Sequence, residues 1–242
     1  MATLIHLSYS PWSEKARWAL DHHDIKVQRV HYVPMLGVPG LRLRLRRFRG
    51  RVTVPVLIDG IERFDDSIDI ARWADARGSR APLFPKHERT RVEQWVDRSE
   101  QIMALGRARA CRLVSLSPKA LRESVPQPLN RVAPLARATG WFGLRYLHRK
   151  YDLSSATAEA LDAELHPLLS HVKSSLAGRR YLLEQFSFAD IAIAASLQFI
   201  NPVPERYLRL GTASRAAWTS AALSEAFRGL LDWRDELYEE HR

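Results

Sequence analysis

Every strand-like stretch of this chain lies before residue 65, and beyond about residue 78 only helical periodicity is found. That division calls for a small mixed α/β domain followed by an all-helical one. Leu4-Ile5-His6-Leu7 has the length of a buried strand. From Pro11 to about His23, Trp12, Ala16, Ala19 and Leu20 recur at helical spacing, with Glu14, Lys15, Arg17 and Asp21 on the other face. Val27 to Val33 reads as a second strand closed by Pro34, and a strand, helix and strand in that order make a parallel pair. Residues 34–53 carry Pro34, Gly37, Pro39, Gly40 and Gly50 and read as a loop with at most one irregular helix. Val54 to Ile58 and Ile61 to Phe64 form a hairpin around Asp59-Gly60. A helix capped by Asp66 or Ser67 follows, with Ile68, Ile70, Ala71, Trp73 and Ala74 as its apolar residues, ending near Arg77-Gly78. The first domain is thus βαβ followed by ββα over residues 1–78.

Residues 79–87, with Pro82 and Pro85, read as a linker, and residues 88–242 as a helical domain. Long amphipathic helices are expected over 88–114 and 158–176, the second kinked at Pro167. Residues 188–200 are apolar nearly all round, which marks a helix buried at the centre of a bundle. Pro118, Pro126, Pro128 and Pro134 make any helix over 117–134 short or broken, and a last helix is expected over about 214–238.

Composition narrows the chemistry. No apolar run approaches the roughly 20 residues that cross a bilayer, and no charged region followed by a long apolar segment opens the chain, so a cytoplasmic protein with no membrane partner is expected. The single cysteine, Cys111, forms no internal disulfide, and no His/Cys cluster has metal-ligand spacing, so no metal is expected. The formal net charge is +10. Residues 1–78 hold 13 Lys and Arg against 9 Asp and Glu, a net of +4, which leaves +6 for the remainder. The excess is therefore spread over both halves, apart from Arg42, Arg44, Arg46, Arg47, Arg49 and Arg51. This balance permits RNA, but no recognised RNA-binding motif or aromatic-interleaved basic strand supports nucleic acid as a partner.

Ser8-Tyr9-Ser10-Pro11-Trp12-Ser13 is a strand-to-helix corner. Ser10 is placed to cap the helix, and Pro11 takes the first position, where a missing N–H is harmless. Unpaired N–H groups and the positive end of the helix dipole make such a corner a place to hold an anion, for example a thiolate.

Three motifs fall in order on this framework. Ser10-Pro11-Trp12-Ser13, followed by Lys15-Ala16-Arg17-Trp18-Ala19-Leu20, is similar to the Cys-Pro-x-Cys or Ser-Pro-x-Ser turn and Lys-x-Arg-x-x-Leu helix of thioredoxin-like transferase domains. Thr53-Val54-Pro55-Val56-Leu57 with Asp66-Ser67 is similar to a Val-Pro-x-Leu element and a Glu/Asp-Ser pair. Tyr181 to Asp190 is similar to the capping segment before a buried central helix. With them the chain resembles the cytosolic-type glutathione S-transferase family: a thioredoxin-like α/β domain joined to an all-α bundle.

The resemblance implies that glutathione is the co-substrate and a small, hydrophobic electrophile its partner. Its thiolate would be held by Ser10, with Tyr9 and then Ser13 as competitors. It implies that Val54-Pro55 is cis, offering the Val54 backbone to the peptide, and that Ser67, with the N–H groups of its helix's first turn, holds the γ-glutamyl carboxylate, Asp66 also belonging to the glutathione site. Thr53 stands where the family often has Lys or Gln, which leaves the glycine carboxylate to Arg44, Arg46 or Arg51. An electrophile site between the domains is expected to involve Tyr9, Trp12, Met103, Arg107, Trp141 and Phe142. Ser187 and Asp190 are expected to form a reciprocal structural cap. A homodimer is implied as well. The competing readings are a non-catalytic binding or adaptor protein, and a glutathione-dependent dehalogenase or peroxidase.

Overall fold

The computed structural model describes residues 1–34, 36–125, 129–151 and 156–242. The N-terminal elements are β1 (Thr3–His6), α1 (Pro11–His22), β2 (Gln28–His31), α2 (Val38–Leu45), β3 (Val56–Asp59), β4 (Glu62–Phe64) and α3 (Ser67–Asp75). The strands form one mixed sheet in the order β2-β1-β3-β4, with β1 parallel to β2 and antiparallel to β3. Both faces of the sheet are covered, which is why β1 reads as a continuous apolar run instead of an alternating one. Leu4 and Leu57 point to a cluster with Ala16, Leu20, Ile70 and Trp73 of α1 and α3. Their neighbours Ile5 and Val56 point to the opposite cluster with Tyr32, Leu41 and Leu45, where α2 packs.

Two local expectations are corrected here. Residues 38–45 form a regular helix, α2, because Leu41 and Leu45 bury on one side and Pro39 sits in the first turn. The hairpin turn is Gly60-Ile61, one residue later than expected, since Asp59 pairs with Glu62. Gly60 has φ +56°, a left-handed conformation that glycine adopts at the first loop position without a Cβ clash.

The remaining elements are α4 (Arg89–Leu116), α5 (Pro118–Glu123), α6 (Ala133–Tyr151), α7 (Ala158–Leu176), α8 (Phe188–Ser196), α9 (Thr212–Trp218), α10 (Ala221–Ala226) and α11 (Arg228–His241). The chain divides into two compact units, one of residues 1–100, 175–196 and 232–242, the other of residues 101–174 and 197–231. In the first unit α8 packs against α1, fully buried from Phe188 to Ser196. In the second, α5 packs between α6 and α9, and Arg109 pairs with Asp162 at 2.6 Å while donating to the Trp218 and Thr219 carbonyls.

The expected last helix is three. Thr219 is extended (φ −75°, ψ 132°), and Ser220 restarts the helix by accepting from the Leu223 N–H at 3.3 Å. α5 is short, as the prolines require, with Pro118 at its first position and Ser117 as its cap. Pro126 and Pro128 lie outside the described residues. α6 is a further long helix that the apolar periodicity does not mark, because Pro134, Gly140 and Gly143 interrupt the pattern. Pro167 is accommodated inside α7. Among the described residues no helix is long and apolar enough to cross a membrane.

Asp190 organises the entry to α8. Its Oδ2 accepts from the Ser187 N–H at 2.9 Å and the Ser187 hydroxyl at 3.0 Å, and Oδ1 accepts from the Leu182 N–H at 2.8 Å. Burial pushes this carboxyl up to about 6, with the Leu182 and Ser187 donors pulling the other way. Replacing it by alanine strands two buried backbone N–H groups. We expect Asp190→Ala to lose about 2–4 kcal/mol, read as a lower urea midpoint at unchanged slope.

Candidate active site

Strand register decides which loops meet. Ile5 stands opposite Val56 in the antiparallel β1–β3 pair, and Leu57 stands opposite Phe64 in the β3–β4 pair. The C-terminal ends of β1, β2 and β4 and the N-terminal end of β3 therefore share one end of the sheet. From that end leave the Leu7–Ser10 corner, the loop before α2, the Thr53-Val54-Pro55 segment and the Asp65-Asp66 step into α3. Two helix N-termini, those of α1 and α3, start there, each bringing unpaired N–H groups and positive dipole. Nothing about either helix alone specifies this; the register does.

Ser10 caps α1 from an extended conformation (φ −85°, ψ 123°), and its Oγ accepts from the Ser13 N–H at 3.4 Å, long for such a bond. Its side chain is half-buried, as is that of Tyr9. Ser13 is different: it is fully buried and its Oγ accepts from the Leu7 N–H at 3.1 Å. Asp66 caps α3, its Oδ1 accepting from the Ile68 N–H at 3.0 Å and the Ser67 hydroxyl at 3.4 Å. The Val54–Pro55 peptide is cis.

Residues 4–82 match the family model of the glutathione S-transferase N-terminal domain. Over that third of the chain the sequence is similar to such a domain. Its thioredoxin-like sheet carries the turn, the Val-Pro element and the Asp-Ser pair at one end. The whole chain has the glutathione S-transferase fold. It aligns over 99% of its length with 95% of a glutathione S-transferase from Methylobacillus flagellatus solved with glutathione bound, at 18% identity and TM-score 0.62. It aligns over 98% with 94% of the β-etherase LigF from Sphingobium, at 16% identity and TM-score 0.62. A glutathione S-transferase from Methylobacterium radiotolerans, in complex with glutathione sulfonate, shares 18% identity over 99% of this chain and 91% of its own, at TM-score 0.55. No curated protein matches by sequence.

Behind the Leu7–Ser10 corner lies an ionic cluster that the sequence pattern assigns to solvent. Glu14, Lys15 and Arg17 are buried, contrary to the expectation of a charged outer face on α1, because each finds a partner inside. Arg17 donates to the Ser8 carbonyl at 2.9 Å and to Glu14 Oε2 through Nε at 3.0 Å, and its Nη1 lies 3.1 Å from His6 Nδ1. Burial and then the Arg17 charge push His6 down to about 4, so its neutral ring accepts from the guanidinium. Arg242 closes the cluster, donating to Glu14 Oε1 and Asp21 Oδ2, each at 2.7 Å. Lys15 pairs with Glu100 at 2.6 Å, and the other Glu100 oxygen accepts from the Trp12 indole at 2.7 Å. The Lys-x-Arg spacing inside the first motif is the one sequence signal for this cluster.

The arginine-rich segment is partly self-bound. Arg42 donates to the Gly50 carbonyl at 2.7 Å, Arg47 pairs with Asp65 at 2.5 Å, and Arg63 donates to the Arg44 carbonyl at 2.8 Å. The side chains of Arg44, Arg46 and Arg51 are exposed. In the second unit Met103 is fully buried, Arg107 lies over the Tyr151 ring at 3.8 Å, and Trp141 and Phe142 are exposed. Cys111 is buried, and burial pushes its thiol up to about 11, so it is no thiolate at neutral pH.

Glu14 gives a signed pH dependence. Burial alone would raise its carboxyl, but Arg17 and Arg242 hold it below the ordinary 4.5. A depressed folded-state value stabilises above 4.5 and is lost as pH falls through the folded value. We expect Glu14→Gln to lower stability at pH 7 by about 3 kcal/mol, since the buried Arg17 guanidinium loses its counter-charge and the partly buried Arg242 loses one of two. The variant should also show a flatter acid limb in melting temperature below pH 4.5.

Proposed function

We propose that this chain is a glutathione transferase in which Ser10 holds the glutathione thiolate for attack on a small, hydrophobic electrophile. The observation that carries this reading is the half-buried Ser10 hydroxyl at the N-terminus of α1, at the end of the sheet where α3 also begins. Tyr9 is the second candidate. Ser13 ranks below both, being fully buried. Ser67 and the first-turn N–H groups of α3 suit the γ-glutamyl carboxylate, and the Val54 backbone the cysteinyl peptide group. Thr53 lies beside them. Exposed Arg44, Arg46 and Arg51 are the candidates for the glycine carboxylate, as paired donors. Two neighbours of this fold were solved with glutathione or its sulfonate bound, in keeping with the same ligand here.

The chemistry balances simply. The thiol proton leaves to water, the thiolate sulfur forms a bond to the electrophilic carbon, and the leaving group departs with the bonding electron pair. A free thiol with pKa near 8.5 is about 3% ionised at pH 7, and lowering it by two units makes it about three-quarters thiolate. Serine at this position forms no mixed disulfide, which favours conjugation over thiol transfer. A dehalogenase or peroxidase reaction uses the same thiolate and changes only the electrophile.

Turnover of glutathione with a chloronitrobenzene tests this. Ser10→Ala should lower kcat/KM about 20-fold at pH 7, with the deficit shrinking as pH rises past about 8.5. An unchanged rate removes Ser10 from the role and moves it to Tyr9. Retention on immobilised glutathione without any conjugation would favour the binding-protein reading.

A further inference from the structure

We propose that α6 is a membrane-surface helix whose outward face docks on anionic phospholipid. The helix runs from Ala133 to Tyr151, carries Arg137, Arg145, Arg149 and Lys150, and has no acidic residue. Its inner stripe includes Ala136 and Gly140, both buried, and Leu144 in the cluster with Leu121 of α5. A Cβ on Gly140 would stand 2.6 Å from the Leu121 side chain, so this side is closely packed. About 100° per residue around the helix axis puts Phe142, Arg145 and Arg149 on the opposite side, with Trp141 at its edge. Trp141 is 54% and Phe142 58% exposed, their rings meeting edge to face at 5.2 Å, and the Arg145 guanidinium lies 5.7 Å from the Trp141 ring.

A solvated helix face ordinarily mixes both charge signs and lacks adjacent exposed aromatic rings. The occupant of this one must offer negative charge to the cations and an apolar phase to the rings. A second copy docking by the same face would set arginine against arginine. A nucleic acid duplex offers phosphates but nothing to the Phe142 ring; a single strand could stack bases on it, and RNA binding is therefore an outcome of the test. An anionic bilayer offers both, headgroup charge for the arginines and the headgroup–acyl boundary for Trp141 and Phe142. At about 28 Å the helix is long enough to lie flat along such a surface. The expected absence of a membrane partner rested on the lack of a spanning run; surface docking needs none. The proposal does not depend on the thiol chemistry.

The test is co-sedimentation of the full chain with large vesicles of phosphatidylcholine, with and without phosphatidylserine. Partition onto the phosphatidylserine vesicles, weakened by added salt, is expected. Trp141→Ala with Phe142→Ala, and separately Arg145→Glu with Arg149→Glu, should each lower it at least about tenfold at unchanged circular dichroism. If the aromatic pair fails to fold when replaced, the charge-reversal pair, at exposed positions, decides alone. Absence of vesicle partition, equal binding to pure phosphatidylcholine, or partition surviving the charge reversal would overturn the proposal. Binding to RNA without vesicles would overturn it as well, in favour of a nucleic-acid face.

Discussion

Arg17 fixes the corner on which the candidate site rests. Its guanidinium is buried and holds the Ser8 carbonyl, two residues before Ser10, while Glu14 and His6 meet its other nitrogens. A guanidinium in that position is tolerable because Nε, Nη1 and Nη2 each meet an acceptor, and a neutral His6 is part of that set. The cluster also ties distant chain to α1. Arg242 meets Glu14 and Asp21, and the Trp18 indole donates to the His241 carbonyl at 2.8 Å. The strand-to-helix corner is thus held from behind by charge pairs and from the side by aromatic packing of Trp18 on Tyr238.

Given a rigid corner, register does the rest. Because β1 is parallel to β2 but antiparallel to β3, the end where β1 stops is the end where β3 starts and β4 stops. Two helices follow strands that end there, so two N-termini face one region without any long-range sequence signal. Each also carries a side-chain cap, Ser10 on α1 and Asp66 on α3, that satisfies one N–H and leaves others for a ligand. The Asp66 carboxylate sits beside the N–H groups that would take another carboxylate, which limits α3 to ligand contact through Ser67 and the free amides.

Much of this frame is legible in the sequence, and its illegible parts share a cause. The strands, the α1 and α3 caps and the buried α8 follow from short-range patterns that tertiary packing did not override. Glu14, Lys15 and Arg17 defeat the amphipathic reading because their partners, Arg242 and Glu100 among them, are far off in sequence. The break at Thr219 is set by a tertiary contact too: Arg109 takes its carbonyl, and the Ser220 N–H donates to Ile200 at 2.8 Å. α6 escapes notice for a different reason. Two glycines and a proline weaken its local propensity, and its aromatic outward face obscures the apolar stripe by which a helix is recognised.

Capping and thiolate binding at Ser10 use different parts of one hydroxyl. The cap employs an oxygen lone pair, accepting from the Ser13 N–H at a long 3.4 Å, and leaves the O–H proton free to donate. A hydrogen bond to a charged acceptor contributes about 1.5–3 kcal/mol. The helix end adds about 0.3–1 kcal/mol, more when partly buried. Lowering a thiol by two units requires about 2.7 kcal/mol, which one O–H donor and one helix terminus supply together and neither supplies comfortably alone. The position of the hydroxyl at the helix end therefore matters as much as its identity. Ser13, in the first turn of α1, differs from Ser10 in exposure: it is fully buried, so its hydroxyl is turned into the fold.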